Sequence, residues 1–108
     1  MKHPKPQVRK VKLGCFNYHI HFQPNDGDDH GSTSTENKTI FICSSDPIEV
    51  QQETLLHELQ HVAYEDCSLF KHPIVDADEQ EESLIRYSNP KLLMYLNDNK
   101  WLKEFIFG

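Results

Sequence analysis

The chain has 108 residues, and its 17 Asp and Glu outnumber 11 Lys and Arg for a formal net charge of −6. Hydrophobic content of 37% and charged content of 26% belong to a folded chain, and the acidic balance argues against a nucleic-acid surface, which needs clustered Lys and Arg. No apolar run approaches the ~18 residues of a membrane span, and the odd number of cysteines (Cys15, Cys43, Cys67) writes no disulfide framework.

These bounds lead us to expect one domain over residues 1–108, in a reducing cytoplasmic setting and without a secretory signal. Residues 1–7, rich in Lys and Pro, are expected to form a flexible lead. From Val8 to Phe22 the chain reads as strand, folded into a hairpin. Val11, Leu13 and Cys15 alternate, Tyr18, Ile20 and Phe22 alternate after them, and Gly14 or Asn17 marks the bend. His19 and His21 share one strand face, and as alternate polar positions they read as exposed residues rather than ligands.

Gln23 to Lys38 is dominated by Gly, Asp, Asn, Ser and Thr and reads as a loop, long enough to rim a cleft. Asp26, Asp28 and Asp29 lack the later Glu and the flanking helices of a calcium loop. Thr39–Cys43 is a short apolar strand. Asp46-Pro47 then opens a helix, with Ser45 or Asp46 as N-cap, running to about Glu65.

That helix carries Thr54-Leu55-Leu56-His57-Glu58-Leu59-Gln60-His61-Val62-Ala63, a His-Glu-x-x-His motif in an apolar pattern. At about 100° per residue, His57 and His61 stand one turn apart on one face. Leu55, Leu56, Leu59, Val62 and Ala63 occupy the opposite sector, so one face packs on a core and the other faces a site. Two imidazoles so placed converge on a single Zn²⁺ ion, and Glu58 lies beside them where it can act on a water rather than on the metal. Two satisfied surface histidines are the plain alternative.

Beyond the motif, His72-Pro73 lies in a connector, and Cys67 reads as a small buried thiol. Asp76 to Tyr87 begins with acidic residues and ends with Arg86, matching a helix dipole. Its packing side chains are Leu84 and Ile85, and Glu81 and Glu82, each three residues before one of them, can reach the same face. Asn89-Pro90 opens another helix with Leu92, Leu93 and Leu96 inward. Asn97-Asp98-Asn99 breaks it, and Trp101, Leu102, Phe105 and Ile106 form a last apolar stripe.

Taken together, ETLLHELQHV, DEQEESLIRYSNPKLL and YLNDNKWLKEFI resemble the small zinc-peptidase-like proteins of phages and prophages, relatives of the ImmA/IrrE-type metallopeptidases among the zincins. The resemblance runs from about Lys10 to the C-terminus. It implies a minimal zincin-like fold, one Zn²⁺ bound by two His and a downstream Glu, and endopeptidase activity on a protein or peptide substrate. The family's Glu stands three residues before a small apolar position; matching Ile85 to that position selects Glu82, with Glu81 and Glu79 as alternatives.

The expected architecture is α+β: a small, mostly antiparallel sheet on an active-site helix, then two or three C-terminal helices. Zn²⁺ is expected on His57, His61 and Glu82, with Glu58 as general base and Tyr64, Tyr87 or His72 as candidate donors to the substrate carbonyl. The competing expectation is a non-catalytic binding or regulatory module that zinc merely stabilises.

Overall fold

The computed structural model describes residues 7–25, 27, 29–68 and 77–108, and for 66–68 and 77–87 it describes the backbone alone. The elements in chain order are β1 (Gln7–Leu13), β2 (Phe16–Gln23), β3 (Gly31–Ser34), β4 (Thr39–Cys43), α1 (Ile48–Ser68), α2 (Ala77–Asp98) and α3 (Lys100–Phe107). The fold is α+β, as expected: a four-stranded mixed sheet with three helices. The lead expected over residues 1–7 lies outside the described residues except for Gln7, which begins β1.

β1 and β2 form a hairpin in which Leu13 pairs with Phe16 across Gly14 and Cys15. Gly14 has φ 67°, a left-handed value that glycine adopts without Cβ strain, so the bend falls there rather than at Asn17. β2 pairs parallel with β4, β4 pairs antiparallel with β3, and the strand order is β1-β2-β4-β3. Two of the three pairings are therefore antiparallel.

The stretch from Gln23 to Lys38 is not all loop, because β3 lies within it. Gly31-Ser32-Thr33-Ser34 has no apolar alternation, and its strand state comes from pairing with Ile42, Phe41, Ile40 and Thr39 of β4. Tertiary pairing overrides a composition that reads as a turn.

Alternation along the strands decides which face carries the helices. Val11, Leu13, Tyr18, Ile20, Phe22, Ile40 and Ile42 join one core with Leu55, Leu59, Val62, Ala63, Tyr95, Leu96 and Leu102. On the helix side the expected sector of α1 is buried, with Leu56 half-buried at its edge. Each fully buried Leu or Ile in such a core contributes about 1.5–3 kcal/mol.

The start of α1 differs in detail from expectation. The Gln51 N–H donates to the Pro47 carbonyl at 3.0 Å, so the helix begins after Pro47 rather than from a Ser45 or Asp46 cap. The Asp46 carboxylate is engaged instead with His30 Nδ1 at 2.7 Å.

Two expected helices are one. α2 runs through Pro90, which sits exposed on its surface, while Ser88 before it and Tyr95 and Leu96 after it are buried. Proline removes one backbone bond, a local loss that packing on both sides of it outweighs. Leu92 packs partly against the core and Leu96 is buried, but Leu93 is 61% exposed and the inward position belongs to Tyr95.

The break comes at Asn99, between α2 and α3. Its side chain does not cap α3. Its Oδ1 accepts the Lys12 N–H at 2.9 Å, and its Nδ2 donates to the Lys12 carbonyl at 2.6 Å and the Tyr95 carbonyl at 2.8 Å. One amide thus pairs with the outer edge of β1 as a strand would, tying the helical layer to the sheet and covering part of an open edge. In α3, Leu102 is buried and Trp101, Phe105 and Ile106 pack against the core, as the apolar stripe implies. Trp101 and Phe105 also meet the Phe22 ring at centroid distances of 5.9 and 5.4 Å.

Candidate functional site

α1 presents His57 and His61 to solvent on the side away from its apolar sector. One helical turn brings their Nε2 atoms to 3.0 Å from each other, with the rings nearly perpendicular. Two nitrogens bound to one tetrahedral Zn²⁺ at about 2.0–2.1 Å stand roughly 3.3 Å apart. The pair is thus close to a chelating geometry already. Among the described residues, one group offers three metal-ligating atoms within 4.8 Å of one another: His57, Glu58 and His61.

Glu58 differs from the histidines in its surroundings. It is only 6% exposed, on the flank of α1 that β3 covers. Its Oε1 accepts a hydrogen bond from Thr33 Oγ1 at 2.7 Å. A buried carboxylate without a donor is costly, and this hydroxyl satisfies part of it.

The approach of β3 to α1 depends on Gly31. A Cβ there would lie 2.6 Å from Thr54 Cγ2 and 2.8 Å from the Phe41 carbonyl oxygen, so any larger residue forces the strand and helix apart. Thr33, Thr35, Glu58, His61 and Glu65 line an open depression beside the motif. β3 is the last strand of the sheet on this side.

Thr33 and Glu65 were not singled out by the sequence. Glu65 could have been, since it follows His61 by four residues on one helix face. Nothing local marks Thr33, which is 25 residues from its partner.

The remaining candidates divide by position. His19 is exposed and His21 half-buried on the sheet face away from the helices, and neither joins the group at His57. Tyr64 lines a groove between α1 and α2 with Gln60, Ala63, Ser88, Asn89 and Leu92, not the depression at His61. The backbone of Glu79, Glu81, Glu82 and Tyr87 belongs to α2 and that of Cys67 to α1, but their side chains, and His72 altogether, lie outside the described residues.

The group of His57, Glu58 and His61 could hold a metal ion. Two neutral imidazoles are common zinc ligands, and a third protein ligand with one open position is the pattern of catalytic sites. No helix among the described residues is long and apolar enough to cross a membrane. Comparison with protein-family models, with curated proteins and with solved structures finds no match for this chain.

Proposed function

We propose that the protein is a zinc-dependent peptidase acting on protein or peptide substrates in a reducing, cytoplasmic setting. The observation that carries this reading is the convergence of His57 and His61, at 3.0 Å between Nε2 atoms, beside a buried carboxylate that hydrogen-bonds to the neighbouring strand. His57 and His61 hold the metal, and Glu82 of α2 completes the set on the strength of the family resemblance.

Zinc held there would lower the pKa of a water toward about 7 and polarise a carbonyl. Glu58 accepts a proton as the water oxygen bonds to the peptide carbon. It returns that proton to the amide nitrogen as the C–N bond breaks, and with the water's second proton passed on as well the products are a carboxylate and a protonated amine. The outer edge of β3 adjoins the depression, and an extended peptide laid against it would add a strand to the sheet.

The test is direct. The purified protein should carry about one zinc per chain and cleave unfolded casein, and a chelator should abolish both. A protein that holds zinc yet leaves casein intact supports the binding module instead, in which the metal serves the fold.

A further inference from the structure

Thr33 and Gly31 are neighbours on one face of β3, and the two α1 residues they meet, Thr54 and Glu58, are one helical turn apart. Residues two apart on a strand rise about 6.6–6.8 Å, and residues four apart on a helix about 6 Å. The two spacings nearly match, so strand and helix touch at two points in step. At the first, the missing side chain of Gly31 lets Thr54 in. At the second, the Thr33 hydroxyl reaches Glu58 Oε1 at 2.7 Å.

We infer that Thr33 is a positioning residue for the hydrolysis proposed above. Its hydroxyl fixes the Glu58 carboxylate by one oxygen and leaves the other for the reacting water. The inference rests on the reading of Glu58 as general base. A carboxylate has two equivalent oxygens and roughly four acceptor positions, and a glutamate side chain has several rotamers to choose from. A single donor at Oε1 removes that freedom. Among the described residues Thr33 is the side chain that donates to Glu58.

A purely structural role for the hydroxyl would show in stability alone. Thr33→Val removes the hydroxyl at nearly constant shape, and Thr33→Ser keeps it. With unfolded casein as substrate, Thr33→Val should lower kcat about 10- to 100-fold, the scale of a misplaced reacting group, with KM and zinc content unchanged. Thr33→Ser should restore most of the rate. Adding Thr33→Val to Glu58→Gln should change nothing further. In the cobalt(II)-substituted proteins, the visible absorption bands of Thr33→Val should shift toward those of Glu58→Gln, and those of Thr33→Ser should not.

If Thr33→Val fails to fold, Thr33→Ala removes the same hydroxyl with less bulk and takes its place. Wild-type protein that cleaves casein no faster than Thr33→Val cleaves it, with identical cobalt spectra, overturns the role of Thr33 and leaves the peptidase reading standing. Wild-type protein that cleaves nothing overturns both.

Discussion

His57 and His61 owe their meeting to helix geometry alone: four residues advance a helix by about 6 Å and turn it by little more than a full turn. What the helix cannot supply is the difference between the exposed imidazoles and the buried Glu58, and that comes from β3. His57→Ala and His61→Ala should each weaken zinc binding by more than the ~10–100-fold lost when a merely supporting hydrogen bond is removed. Elemental analysis of the two dialysed variants checks this, and full zinc in both would sink the site as drawn. For the third ligand, Glu82→Gln should weaken zinc more than Glu81→Gln. The reverse ranking moves the ligand to Glu81.

At the scale of elements, two residues decide how the layers sit. Gly31 sets how closely β3 meets α1. Gly31→Ala places a methyl 2.6 Å from Thr54 Cγ2 and 2.8 Å from a backbone carbonyl, so the strand must shift. The cost should be about 1–3 kcal/mol, as for other forced insertions. Asn99→Ala strands the Lys12 edge and removes three hydrogen bonds from one amide, and should cost a similar amount. Thermal melts would read either as a fall of several degrees. An unchanged Asn99→Ala melt would mean that water replaces the amide at no cost.

These elements also show where a sequence can be read and where it cannot. β4 and α1 announce themselves, the first by a β-branched and aromatic run and the second by apolar residues at helical spacing, because both patterns are local. β3 is invisible, since its polar residues carry no pattern of their own and are held by backbone pairing with β4. The continuity of α2 through Pro90 is equally hidden, because the rule for proline is local and the packing around it is not. The same limit applies at the site. The spacing of His57 and His61 is written in the chain, whereas Thr33 comes to Glu58 only through the sheet.

For the whole molecule, one core joins the sheet to all three helices, so damage at one end should be felt throughout. Leu102→Ala, at a fully buried position in the last helix, should destabilise the protein by about 2–5 kcal/mol. A melt within a degree of wild type would show that α3 is not part of that cooperative unit. Cys15 is exposed and Cys43 buried, and neither is disulfide-bonded. Thiol titration of denatured, unreduced protein should therefore find at least these two.

The measurement that bears most directly on the proposed chemistry is casein cleavage by Glu58→Gln, made alongside its zinc content and melting temperature. Gln is nearly isosteric with Glu but cannot accept the proton, and general base help is worth about 10²–10⁴-fold. General-base catalysis by Glu58 predicts a variant that keeps its zinc and its fold, melts only slightly differently from wild type, and cleaves at least about 100-fold more slowly. Cleavage at the wild-type rate by a zinc-loaded Glu58→Gln protein would contradict it.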